Sequence, residues 1–222
     1  MFYCYHVVLI NKLWIHIVTL PELKITVYSD YICPFCYLGH RRLQRLRDSY
    51  DLKINWCFLE IHPETSAEGA AIDSLGYPEE QWQKMLLNLE RIAKEENIPL
   101  SRLDFITNSR DALLLSEAAK QCGRDKFYAL HEKLFEAYFV DGINIGDRDE
   151  LREIAGSCGI DENIIDSAWT EDKFNQRLLD NLNSARKHRI QGVPGFVFGE
   201  KVLAGVVAES AFREAAEQCC TA

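Results

Sequence analysis

Basic residues are in the minority. The sequence sets 25 Lys and Arg against 34 Asp and Glu, for a net charge of −9. That balance lacks the basic stripe on which nucleic-acid binding rests and instead serves solubility. A secretory signal is also missing. Residues 1–20 are apolar but broken by His6, Asn11, Lys12, His16 and Thr19, and no small-residue cleavage site precedes Pro21. A spanning helix needs roughly 20 apolar residues, and a central Lys costs about 2.5–3.5 kcal/mol on insertion. Three readings of the segment remain: an added strand or helix, a membrane anchor, or upstream sequence translated from a misplaced start. No stable membrane association is expected, and a cytoplasmic location is. Repeats and low-complexity runs are absent. The eight cysteines are too sparse for a disulfide scaffold, and their scatter suits a reducing compartment.

What is present is a chain of 222 residues, 47% of them hydrophobic, which is ample for a real core. Only one cysteine pair has CxxC spacing: Cys33-Pro34-Phe35-Cys36. It follows an apolar run, Ile25-Thr26-Val27-Tyr28, and precedes a helical pattern that runs to about Asp48. The thiols therefore sit where a strand hands over to a helix. The thiolate is the nucleophile of exchange chemistry, and a helix N-terminus lowers a thiol's pKa. Unpaired first-turn amides and the helix dipole both favour the anion. Pro34 surrenders an amide that would have no intrahelical partner. Cys33, nearer the surface, is the expected attacker, and Cys36, deeper in the helix, resolves the mixed disulfide. A zinc half-site is the other reading of CxxC. It needs two more ligands at close spacing, which Cys219-Cys220 would supply only by coincidence, so no metal is expected.

Along the chain, Lys24–Tyr28 and Asp51–Ile61 alternate as strands, and the helix between them makes a right-handed parallel βαβ unit the default. Glu64–Gly76 is small and polar and reads as a mobile loop. Helices follow: one opened by Pro78 and closed by Pro99, one capped by Ser109, then Asp125–Phe139, Asp147–Cys158, and two more capped by Asp161 and Thr170. Phe196-Val197-Phe198, Gly199-Glu200 and Lys201–Ala204 read as a β-hairpin, and Ala208–Cys219 as a closing helix. The fold class is thus α/β: βαβ and ββα pieces forming one four-stranded sheet, interrupted by a large all-helical insertion. The expected division is residues 1–22 as an extension, 23–62 with 190–222 as the sheet domain, and 63–189 as the insertion.

Cys-Pro-Phe-Cys after a short strand, a helical insertion and Gly192-Val193-Pro194-Gly195-Phe196 before a terminal ββα unit resemble the DsbA family of thioredoxin-fold oxidoreductases. The stretches Tyr28–Gly39 and His131–Phe139 are similar to its FrnE-like branch. The resemblance implies a cis Pro194 packed beside the CxxC and Val193 offering backbone hydrogen bonds to a bound peptide. Cys33 and Cys36 would be catalytic, and Val193, Pro194, Pro34 and Phe35 would contact substrate. Protein thiols and disulfides are the implied partners. No cofactor is implied beyond the Cys33–Cys36 disulfide, with glutathione or a thioredoxin-type reductant as electron source. Periplasmic relatives carry His where Phe35 stands, so a less acidic Cys33 is expected here. Val27 occupies the place of the buried carboxylate of thioredoxins. Family members commonly begin near Lys24, so residues 1–22 are expected not to belong to the native protein. Two other activities compete with exchange: a glutathione-dependent isomerase or transferase, resembling the 2-hydroxychromene-2-carboxylate isomerases and kappa-class transferases, and a peptide-binding chaperone module. The isomerase class typically has Ser at the first position, and both cysteines argue against it.

Further residues carry smaller expectations. Asp30 and Glu60 are candidate relays for the Cys36 proton, although both read more simply as solvated turn residues. His131 reads as a hydrogen-bonded core histidine and His40 as exposed. Cys57 is expected on a buried strand and inert. Cys122 and Cys158 are expected at helix ends, and Cys219 and Cys220 as free thiols near a frayed terminus. Tyr31, Phe35 and Tyr37 form either an apolar rim for substrate or packing against the insertion.

Overall fold

A computed structural model describes residues 4–10, 13–100 and 104–221. Strands β1 (Cys4–Ile10) and β2 (Leu13–Thr19) pair antiparallel as a separate hairpin. The main sheet begins with β3 (Glu22–Ser29). Its alternation buries Leu23, Ile25 and Val27 and leaves Glu22 and Lys24 exposed. Helix α1 (Pro34–Gln44) follows, extended by a tighter 3-10 turn, Arg45–Asp48. It leads back to β4 (Asp51–Phe58), which lies parallel to β3 with Val27 opposite Trp56. This is the expected βαβ crossover.

The intervening helices are α2 (Glu79–Glu96), α3 (Arg110–Ala119), α4 (Arg124–Phe139), α5 (Arg148–Ser157), α6 (Glu162–Thr170) and α7 (Asp172–Lys187). The chain then returns to the sheet. Strand β5 (Gly195–Phe198) pairs antiparallel with β3, and β6 (Lys201–Ala204) pairs with β5, giving the order β4-β3-β5-β6. The two-residue turn works because Gly199 adopts φ 56°, where a side chain would clash. Helix α8 (Glu209–Thr221) packs against the central strands β3 and β5 and against α1. The fold is an α/β thioredoxin-like sheet with a helical insertion between its halves.

Several local expectations are corrected. Residues 64–76 are not wholly a loop: Ala70–Ala71 pairs with Phe105–Ile106, and Ile72–Leu75 forms a 3-10 turn. Helix α2 stops at Asn97, which takes the left-handed conformation at φ 54°, before Pro99 is reached. Pro78 stands just outside it. Asp161 caps as expected and Asp147 caps as well, each accepting from the amide two residues on. Thr170 does not cap. It is the last residue of α6, and its hydroxyl donates back to Asp166 O.

Two contacts lock α1 to its surroundings. Gly39 lies so close to β5 that an added Cβ would stand 2.9 Å from Phe196 Cζ and 3.5 Å from Pro194 Cγ. Only glycine lets the helix approach this near. On the other side, Arg42 is buried and donates through Nε to Glu96 Oε1 at 2.6 Å and through Nη1 to Val207 O at 2.8 Å. It joins α1 to the insertion and to the approach to α8.

Candidate active site

Cys33 is the residue flanking α1 on its N-terminal side, with extended backbone (φ −89°, ψ 110°) and Pro34 first inside the helix. No side chain caps this end, which leaves the Phe35 amide of the first turn to serve an anion. The preceding turn is closed by Cys33 N donating to Asp30 O at 3.3 Å, and the Cys36 amide donates to Cys33 O at 2.9 Å. Cys33 is 6% exposed and Cys36 2%. Both are thiols in this structure. Burial pushes the Cys36 thiol well up, and the adjacent Cys33 sulfur adds to this. The Asp30 amide and the Ser29 side chain offset part of that rise.

The second half of the site comes from the far end of the insertion. The Val193–Pro194 peptide bond is cis, Pro194 is buried, and the Cys33 thiol faces Val193 O at 3.8 Å. Pro194 O accepts from Gly205 N at 2.8 Å, which ties this loop to the sheet. Cys33, Pro34, Phe35 and Val193 together open onto a groove of about 450 Å³. Its opposite wall is supplied by the insertion, chiefly Ile72, Trp82, Met85 and Phe139, and among the described residues no Lys, Arg, Asp or Glu lines it. Of the three aromatics considered as a rim, only Phe35 serves. Tyr31 and Tyr37 are 0% and 3% exposed and pack into the core.

A buried polar network lies behind the turn. The Tyr31 hydroxyl shares hydrogen bonds with Ser116 Oγ at 2.8 Å and His131 Nδ1 at 2.7 Å. His131 is a core histidine, as expected. It is fully buried, and its Nε2 has no hydrogen-bond partner. Burial holds its pKa well below the usual value, helped by the charges of His40 and Lys120. His40 is not exposed: it is 1% accessible and bonds Glu132 Oε1 through Nε2 at 2.7 Å. That partner draws the ring toward α4, so nothing places it as a cation beside Cys33.

Asp30 is the larger correction. It is fully buried, and its carboxylate accepts from Ile32 N at 3.3 Å, Ile61 N at 2.9 Å and Ser109 Oγ at 3.0 Å. Ser109 therefore does not cap α3 with its side chain; its hydroxyl is taken by Asp30. Burial pushes the Asp30 carboxyl up to about 6, against the pull of these donors. Glu60 is half-buried and engaged by Arg110 at 2.9 Å and Asn108 at 3.1 Å. Val27 is buried and apolar, so β3 brings no buried carboxylate to this site.

The other cysteines lie elsewhere. Cys57 is buried, with its thiol pushed up to about 11 by burial. Cys122 ends a 3-10 turn and Cys158 ends α5. Cys219 and Cys220 are free thiols within α8, which continues to Thr221.

Known proteins resemble this chain in sequence and fold. Residues 24–217 match the model of the DSBA-like thioredoxin domain. The Bacillus subtilis protein YwbO is 28% identical over 196 residues, covering 86% of this chain and 94% of its own. The 2-hydroxychromene-2-carboxylate isomerase of a Pseudomonas strain is 25% identical over 182 residues, covering 80% and 82%. Among solved structures, that of a probable DsbA oxidoreductase from Streptomyces coelicolor superposes with a TM-score of 0.79 at 20% identity, covering 90% of this chain and 91% of the other. With a family match that spans both halves of the sheet and the insertion between them, the chain belongs to the DsbA-like thioredoxin-domain family.

Proposed function

We propose that this protein is a cytoplasmic thiol–disulfide oxidoreductase or isomerase of the FrnE-like branch, acting on protein disulfides. The carrying observation is the placement of Cys33 at an uncapped helix N-terminus, facing Val193 O at 3.8 Å and open to an apolar groove. Cys33 attacks one sulfur of the substrate disulfide and expels the other as a thiol. Cys36 then attacks Cys33, forming the Cys33–Cys36 disulfide and releasing the second thiol. The dithiol loses two electrons, and glutathione or a thioredoxin-type reductant returns them. Val193 and Pro194 position the substrate strand, and Pro34 with Phe35 contacts its side chains.

A glutathione-dependent isomerase is the second reading, favoured by the Pseudomonas relative. The largely apolar lining of the described part of the groove supports protein disulfides over an anionic tripeptide. Replacing Cys33 by Ser separates them. Disulfide reductase activity should vanish in that variant; glutathione-dependent isomerisation surviving it would overturn the proposal.

A further inference from the structure

Tyr28 holds both ends of the segment that brings Val193 to the thiols. Its backbone pairs across the sheet with Gly195, the residue after Pro194. Its hydroxyl reaches the other end, 2.6 Å from His188 Nδ1 and 2.7 Å from Ser184 Oγ. A hydroxyl has one proton to give and lone pairs to accept with, so it serves both neighbours in either tautomer of the ring. The Tyr28 side chain is buried in a small second core with Cys57, Ala185 and Val197, against which Ile190 and Val193 pack. Between the two anchors the chain takes a turn that needs holding. Arg189 lies at φ 57°, a left-handed conformation that is unfavourable for a residue with a Cβ. The turn closes by Ile190 N donating to Ala185 O at 2.9 Å. Ile190 then sits over Gly195, where an added Cβ would stand 3.0 Å from Ile190 Cδ1. Gln191 and Gly192 lead from this anchor to Val193, whose carbonyl faces the Cys33 thiol at 3.8 Å.

We propose that Tyr28 and His188 are positioning residues for Val193. The hydroxyl–imidazole contact fixes the exit from α7. Through Ile190 it sets where the Val193 carbonyl stands opposite Cys33, so that the backbone of a substrate strand meets it in place. This rests on the reading of Val193 as a substrate contact in disulfide exchange. The dependence is selective, because the contact belongs to the second core, while Cys33 has the Phe35 amide of α1 for its thiolate. Loosening the contact therefore weakens the grip on a substrate backbone and leaves the nucleophile's own strength intact. A displaced carbonyl loses its hydrogen bond to a peptide. It has none to lose with a disulfide that carries no peptide group.

Two disulfides separate this role from a general loss of structure. One is a cyclic peptide closed by a disulfide and carrying a fluorophore and a quencher. The other is the aryl disulfide dithiobis(nitrobenzoate), which has no peptide backbone. Each is mixed with the reduced protein. Cys33 attacks and Cys36 closes the Cys33–Cys36 disulfide, so the protein dithiol is oxidised, the probe is reduced to thiols, and the protons pass to those thiols or to solvent. A Cys33→Ser variant run in parallel supplies the contribution of the other cysteines. Tyr28→Phe and His188→Leu should each slow reduction of the peptide about fivefold, what one net hydrogen bond contributes. The aryl disulfide should stay within about twofold, because the Phe35 amide is untouched. The double variant should lose no more than about fivefold with the peptide, since both changes delete one contact. His188→Asn keeps a hydrogen-bonding group near the place of Nδ1 and should recover about half of the native rate or more. His188 is exposed, so its variants carry the test even if Tyr28→Phe does not fold. Equal slowing with both disulfides, slowing with neither, losses that multiply in the double variant, or a His188→Asn no faster than His188→Leu would each overturn the proposal. A native protein that reduces the aryl disulfide but not the peptide would overturn the exchange reading itself, and the proposal with it.

Discussion

Acidification should strike this fold first at His131, and the effect can be isolated. The ring lies in an aromatic cage, with centroids 4.2 Å from Trp56, 5.2 Å from Phe135 and 5.6 Å from Phe127. Burial is the main cause of its lowered pKa, followed by repulsion from His40 and Lys120. In the unfolded chain the ring takes a proton near the ordinary value of about 6.5. The unfolded state therefore binds the proton first, and stability falls as pH drops below that value, by up to about 1.4 kcal/mol per unit. Integration bounds the loss at about 1 kcal/mol between pH 6.5 and 5.5 and about 2.3 kcal/mol by pH 4.5, the limits reached when the folded ring takes up no proton over that range. For a chain of this length each kcal/mol is about 2–4 °C in Tm.

Asp30 works in the opposite sense. Its carboxyl is raised from 3.8 to about 6, so between those values the folded state takes the proton first and stability is regained as pH falls. The native protein alone should therefore look nearly flat over that interval. The informative quantity is a difference. Urea unfolding of native and His131→Phe protein, both kept reduced by a phosphine, should show the native stability declining relative to the variant as pH falls from 6.5 to 4.5. A difference that stays constant across that range would refute the burial argument.

Two further outcomes concern the site. Phe35 cannot act as a cation beside the thiolate, so the Cys33–Cys36 reduction potential should fall between about −270 mV, as in thioredoxin, and about −120 mV, as in DsbA. A redox titration outside that window would contradict the role given to this dipeptide. Gly39→Ala places a Cβ 2.9 Å from the buried Phe196 ring and should cost about 1–3 kcal/mol by overpacking, read from the urea midpoint. The variant should also lose exchange activity, because the displaced α1 carries Cys33.

The parts of the molecule legible in its sequence are those written in local periodicity. The strand–CxxC–helix junction, the Gly199 turn and the helical run of the insertion each leave a short-range pattern, and each stands where that pattern put it. What escaped is contact between distant elements. Ser109 has the residue type and position of a helix cap, yet its hydroxyl goes to Asp30, 79 residues away. His40 follows a thiol motif on a helix flanked by arginines and reads as solvated, until α4 brings Glu132 against it. The groove wall contributed by Trp82 and Met85 reads only as an amphipathic stripe. Nothing in the stripe says that it faces the thiols rather than a sealed core.

The meeting of Cys33 with Val193 spans 160 residues, and that separation has a consequence during synthesis. At about 5–20 residues per second, the thiol pair leaves the ribosome some 8–30 s before its opposing loop exists. Over that interval β3 has β4 on one side and an open edge where β5 will lie. The nascent chain thus carries two cysteines with neither the Val193 carbonyl nor the far side of the groove to direct them. Selective exchange begins only when translation of the last strands closes the sheet, so a ribosome stalled within the insertion holds a dithiol that has not yet become a site.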